Sequence, residues 1–202
     1  GKLANSIDSV DFWQGLIVSL HDVKVSLHDK AYAESGKLSF TNTQASVIKM
    51  ANDKVYAFTI ADTDLVETVA IADLSPVDPA AAIDPALIDF TPDDIAVDKN
   101  GDTIYLRSEK YLSVFRWSIS QGKYLTSFEF PNPPEQMAYS ADTDRLYVSF
   151  AHSKVVYIDL SDDSEHAYID LLNFPNLDNH YTSELKLLAV DDLLLIVRKS
   201  DF

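Results

Sequence analysis

Asp98, Asn100 and Asp102 set oxygen ligands at alternate positions of Asp98-Lys99-Asn100-Gly101-Asp102, and Glu109 stands twelfth when Asp98 is counted first. An EF-hand-type loop gathers calcium with this spacing and closes on a bidentate acid. The same five residues also suit a tight turn, because glycine takes a positive φ without steric cost and Asn or Asp bonds its own backbone. The flanks favour the turn. Ile95-Ala96-Val97 and Ile104-Tyr105-Leu106 are short apolar runs, and a calcium loop would have to consume residues 103–107, whereas a β-hairpin keeps both runs as strands. A hairpin is therefore expected, with no cofactor, and calcium at Asp98, Asn100 and Asp102 is the less favoured alternative.

A second acid–base pattern is the twin Ser19-Leu20-His21-Asp22 and Ser26-Leu27-His28-Asp29. Paired His and Asp could ligate a metal or form a base with its orienter. Seven-residue spacing puts His21 and His28 on opposite faces of a single strand, so a shared site requires a bend or hairpin between them. The plainer reading is two neighbouring strands that each end on a polar pair. No nucleophile elbow, P-loop, dinucleotide fingerprint or HExxH occurs. With no cysteine, disulfides, thiolate metal sites and a cysteine nucleophile are excluded.

The elements that must carry these residues are strands. Of the 202 residues 47% are hydrophobic, enough to bury the core of one domain or at most two small ones. A formal net charge of −16 opposes duplex DNA and anionic lipid. The expected partner is a protein or peptide, of basic character, and not a nucleic acid. No apolar run approaches the ~18 residues that span a bilayer, so membrane insertion is not expected. Because the chain opens on Gly1 rather than Met, it reads as one part of a longer product.

Runs rich in Val, Ile, Tyr, Phe and Leu alternate with clusters of Asp, Asn, Gly and Ser, and no sustained helical stripe appears. Laid on itself, the chain repeats. An offset of forty-two carries Asp94-Ile95-Ala96-Val97-Asp98 onto Gln136-Met137-Ala138-Tyr139-Ser140, and Ile104-Tyr105-Leu106 onto Leu146-Tyr147-Val148. The same offset carries Val114-Phe115-Arg116-Trp117 onto Val156-Tyr157-Ile158-Asp159. Weaker copies flank these: residues 47–50 and 55–58 around the turn at Asn52, with 65–71 as outermost strand, and residues 185–190 and 193–197 opening a unit that is not finished. Units fall near 1–42, 43–91, 92–133 and 134–180, with an incomplete one at 181–202.

Each unit reads as four strands in forty to fifty residues, the size of a propeller blade. At residues 92–106 and 134–148 the chain resembles the β-propellers of the WD40-like and YVTN superfamily, whose blades open P-x-x-[IM]-A-[VY]-x-x-[DN]-x-x-x-[IL]-Y-V. The resemblance covers most of residues 40–198, without the Gly-His and Trp-Asp pairs of strict WD40 repeats. It implies an all-β fold, a propeller or propeller segment of four-stranded antiparallel blades with a repeat of about 42 residues. The unfinished last unit is either continued by a longer chain or completed by N-terminal strands.

Residues 72–91 hold Pro76, Pro79 and Pro85, too proline-broken for a strand, and read as an inserted loop with a turn of helix near 79–83. By the resemblance, residues at the inner ends of the first strands would face a central channel: Asp94, Gln136 and Glu184, with His180 just upstream. They are mixed in kind and make no evident metal shell. Tyr111, Trp117, Tyr139 and Tyr181 could serve binding or packing. Of these, Tyr111, together with His152, sits in a second-to-third-strand loop suited to exposure. The expected function is a non-enzymatic binding scaffold on an exported protein, extracellular, periplasmic or at the cell surface, with a cytoplasmic setting as the alternative. The competing class is a lactonase-like hydrolase or lyase with a divalent cation in the channel.

Overall fold

The computed structural model describes residues 9–13, 16–21, 24–28, 34–39, 47–58, 65–70, 76–77, 90, 92–151, 154–170, 185–190 and 192–198. Among them the secondary structure is a succession of antiparallel meanders, with no helix among the elements. The first sheet runs β1 (Ser9–Trp13), β2 (Leu16–His21), β3 (Lys24–His28), β4 (Glu34–Ser39). The second runs β5 (Val47–Ala51), β6 (Lys54–Phe58), β7 (Leu65–Ala70), β8 (Pro76–Val77). The third is β9 (Asp94–Val97), β10 (Thr103–Ser108), β11 (Ser113–Ser118), β12 (Lys123–Glu129), and the fourth β13 (Pro134–Ser140), β14 (Arg145–Phe150), β15 (Lys154–Asp159), β16 (Ser164–Asp170). A fifth sheet has two strands, β17 (Leu185–Val190) and β18 (Leu193–Arg198). Spatial order equals chain order in every sheet.

Burial explains the composition of the strands. The second strands, β10 and β14, are buried along their whole length after a half-exposed first residue, so both faces are covered and Ile104-Tyr105-Leu106 and Leu146-Tyr147-Val148 run without alternation, with Arg107, Ser108 and Ser149 as buried polar residues. The outermost strand β12 has no buried position: Lys123, Thr126 and Glu129 are exposed and the residues between them half-buried.

Two compact units are present. One gathers Gly1–Pro92, Lys99–Ile104 and Trp117–Lys123; the other Asp93–Asp98, Tyr105–Arg116 and Tyr124–Phe202. In the first, β5 packs on β1 and β2. In the second, β13 packs on β9 and on β17, first strand beside first strand as in propeller-like blades. Its core joins Ala96, Tyr105 and Val114 to Met137, Leu146, Val148 and Ile158. Phe130 meets Phe150 edge to face, ring centroids 5.1 Å apart.

Turn chemistry sets the hairpins. Asn52 and Asp53 both adopt positive φ, 47° and 55°, which is the two-residue turn whose twist matches antiparallel strands. Gly101 takes φ 70° between β9 and β10, while the matching turn before β14 gives its left-handed position to Asp144, φ 52°. In the first unit the Asn52 side chain donates to the Asn100 carbonyl at 3.1 Å and the Tyr56 hydroxyl to the Gly101 carbonyl at 3.4 Å.

Two expectations are corrected. The offset of forty-two holds through the first two strands and then drops to forty-one, because four residues, 109–112, join β10 to β11 and three, 151–153, join β14 to β15. Val114 therefore matches Val155, both buried, and Trp117 matches Ile158. The Ile119 amide bonds the Asp102 carbonyl as the Leu160 amide bonds that of Asp144, and Asp163, φ 60°, stands where Gly122, φ 58°, stood. Second, residues 65–70 form the third strand of their sheet, and the proline-rich stretch supplies the fourth, β8. Pro76 is tolerated there because an edge strand needs no donor on its outer side. The helical turn near 79–83 lies outside the described residues.

The plainer reading of the twin histidines agrees with the fold: the neighbouring strands β2 and β3 end at His21 and His28, which stand at opposite ends of their hairpin, in register with Lys24 and Ile17. Four residues of strand separate these levels, roughly 14 Å, so the two histidines are not positioned to share an ion.

Candidate functional site

The calcium spacing dissolves in the fold. Residues 103–108 are strand β10, so Glu109 lies a full strand away from Asp102, about 20 Å, against Ca–O distances of roughly 2.5 Å. Asp102 instead anchors a neighbouring turn. Its Oδ1 accepts the Ser120 amide at 2.7 Å and its Oδ2 the Ser118 hydroxyl at 3.1 Å. Burial raises the pKa of this carboxyl, but the hydrogen bonds from Ser120 and Ser118 outweigh it and hold it below the usual carboxylate value. Asp98 is buried and Asn100 exposed. No three of His, Asp or Glu come together as a metal shell among the described residues.

The more promising ground is the opposite end of the third and fourth sheets, where β9 and β13 begin and β10 ends. It lies within the second unit. Arg107, the penultimate residue of β10, is 4% exposed. Its Nη1 donates to Glu109 Oε1 at 2.7 Å and to the Pro134 carbonyl at 2.5 Å, so one guanidinium ties the end of β10 to the start of β13. The Glu109 amide donates in turn to Asp93 Oδ2 at 2.8 Å, and the Asp93 amide to the Arg107 carbonyl at 2.9 Å. These bonds hold the loop 109–112 against the strand entrance.

Tyr111 sits on that loop, 39% exposed. Its backbone is clamped on both sides: the Tyr111 amide donates to Ser108 Oγ at 3.3 Å, and Ser113 Oγ donates to the Tyr111 carbonyl at 2.8 Å. Leu112 turns the chain at φ 54° and its carbonyl accepts the Phe130 amide at 2.8 Å. The ring meets Phe115 edge on, centroids 6.1 Å apart, and the Lys110 ammonium lies 4.8 Å from its centroid. A large amphipathic ring is thus displayed on a backbone that has already given up its freedom, the arrangement that lowers the ordering cost of binding.

The other sequence candidates fall as follows. Asp94 begins β9, half-buried, with Oδ1 accepting the Ile95 amide at 2.8 Å, so it caps its own strand. Gln136, half-buried, follows the bulge at the entrance of β13. Both share the end that carries Tyr111. Trp117 is buried, and Tyr139 donates its hydroxyl to Asp144 Oδ1 at 3.0 Å at the far end. His152, His180, Tyr181 and Glu184 lie outside the described residues. Sequence reading missed Arg107; its signal was a lone cation inside the apolar run Thr103-Ile104-Tyr105-Leu106-Arg107, in a chain with 16 cations against 32 acids.

No protein-family model matches the chain, and no curated protein matches it. Solved structures do match. One, a propeller-like protein described as "KlHsv2 with loop 6CD replaced by a Gly-Ser linker", superposes over 98% of this chain with a TM-score of 0.59 at 11% identity. The chain spans 64% of the length of that structure. A likeness at this identity establishes the fold alone: all-β, with repeated four-stranded antiparallel sheets of propeller-like kind. Function has to be argued from the site.

Proposed function

We propose that the protein is a non-enzymatic binding scaffold, built on blades of the WD40-like and YVTN kind, that takes a basic protein or peptide partner at the loop end of its third and fourth sheets. The observation that carries this reading is Tyr111, exposed yet held by backbone bonds on both sides. Exposed aromatic anchors on rigid loops dominate binding energetics. The acids Asp93, Asp94 and Glu109 stand around the same strand entrance, and the net charge of −16 favours a cationic partner. The propeller-like fold supports the reading in a general way, as a rigid frame that presents loops at the ends of its sheets.

A displayed peptide library panned against the wild-type protein tests it. Enrichment of Lys- and Arg-containing peptides is expected, and Tyr111→Ala should weaken the best of them by about tenfold or more in calorimetry. Enrichment of none, or equal affinity for the two proteins, would sink the proposal.

A further inference from the structure

Of the eight asparagines in the chain, Asn100 alone is followed by glycine. That pair is chemically labile, because no Cβ stands beside the glycine amide to bar its nitrogen from the asparagine side chain, and the two can close a succinimide. The fold both fixes the pair and exposes it. Gly101 cannot be exchanged without strain, since its φ is 70° and a Cβ there would meet the Tyr56 hydroxyl. Asn100 is exposed in the turn that joins β9 to β10. The matching turn of the fourth sheet has Asp142 and Thr143 in these places, a pair without that lability.

A second observation bears on how such a ring would open. The Asn52 side-chain amide donates to the Asn100 main-chain carbonyl at 3.1 Å, within the first unit. A donor on that carbonyl stabilises the oxyanion formed when water attacks it, and so favours attack there over attack at the side-chain Cγ. The same carbonyl becomes the free carboxylate of isoaspartate, where the Asn52 donor meets a charged acceptor and bonds it more strongly.

We propose that the Asn100–Gly101 turn is a site of self-modification, in which the pair passes through a succinimide and Asn52 directs its opening towards isoaspartate. The Gly101 nitrogen attacks Cγ of Asn100. The N–Cγ bond forms, the Cγ–Nδ2 bond breaks, and the Gly101 amide proton leaves with the side-chain amino group as ammonia. Water then splits the imide. Cleavage between Cγ and the Gly101 nitrogen gives aspartate, whereas cleavage at the main-chain carbonyl gives isoaspartate, whose backbone runs through Cγ. Water is the sole co-reactant, and no electron is transferred. Either product places a new carboxylate between Asp98 and Asp102 in the sequence. The turn lies at the other end of the third sheet from Tyr111, and its chemistry is independent of the binding proposed there.

The test is to incubate the folded protein at neutral and at mildly alkaline pH, digest it with trypsin, and compare the fragments with synthetic aspartyl and isoaspartyl standards by mass spectrometry. The fragment of residues 100–107 should gain the mass of an NH2-to-OH exchange, faster at the higher pH because the Gly101 amide must give up its proton. Fragments 50–54 and 117–123, which hold Asn52-Asp53 and Gln121-Gly122, should stay unchanged. The second of these controls for glycine alone, since Gly122 also has a positive φ, 58°, behind an exposed glutamine whose imide ring is larger and slower to close. Asn52→Gly keeps a positive φ open at that position and should lower the ratio of isoaspartate to aspartate about threefold. An unchanged ratio would remove the role assigned to Asn52. No conversion at Asn100, under conditions that convert a synthetic peptide of residues 95–106, would overturn the proposal. So would a rate that climbs with urea below the unfolding transition, because the reaction would then belong to the opened chain.

Discussion

Gly101 and Asp102 illustrate how one short stretch can satisfy two chemistries on paper and only one in space. Gly101 is required twice over, by its φ of 70° and because a Cβ at this position would collide with the Tyr56 hydroxyl. Gly101→Ala should cost about 1–3 kcal/mol in urea denaturation, and an unchanged midpoint would show that the turn relaxes freely. Asp102 titrates below its ordinary value because Ser120 and Ser118 bond the ionised form. Its contribution is therefore complete above the unfolded pKa, near pH 4, and disappears as the pH falls through the lower folded value. Asp102→Ala should be less stable than the wild type by about 1–2 kcal/mol at pH 7. The gap should narrow below about pH 4. Equal slopes of stability against pH for the two proteins between about pH 2 and 5 would refute the assignment. Calcium should not alter either protein's unfolding midpoint if the carboxylate serves the turn.

Among the strands, register and the ends of strands matter more than composition. A single residue fewer in the β14–β15 connection moves the matching of every later position by one, so Val114 answers Val155 and the core face is preserved. That shift is invisible to a comparison made at one offset, because Val155 and Val156 are both valine. Arg107 acts at the same level, binding the exit of β10 to the entrance of β13 through the Pro134 carbonyl. Arg107→Met keeps the buried aliphatic stem and removes the hydrogen bonds. It should cost about 1–3 kcal/mol and, with the loop 109–112 released, speed amide exchange at Leu112. Intact protection there would show that the Tyr111 loop is held by Ser108 and Ser113 alone.

For the molecule as a whole, charge governs encounter. With −16 overall, association with a basic peptide should be steered at low salt. Its rate constant should fall about tenfold as ionic strength rises from roughly 0.01 M to 0.15 M and the screening length shrinks from about 30 Å to 8 Å. A salt-independent rate would point to a partner selected by shape. The all-β class, the four-stranded repeat and the phase of the first two strands of the third and fourth sheets were legible in the amino-acid sequence, since apolar runs and turn residues act over a few neighbours and recur with each blade. The candidate site was legible only in part. Tyr111 could be expected at a loop, but its clamped backbone, the Arg107 tie to Pro134 and the engagement of Asp102 by Ser118 and Ser120 join residues two to twenty-seven positions apart. Such partners are chosen by how sheets stack and where a connection is one residue shorter. No local spacing encodes that: the flanking runs pointed to a hairpin at residues 98–102, but only the fold made Asp102 the anchor of the neighbouring turn at Ser118 and Ser120.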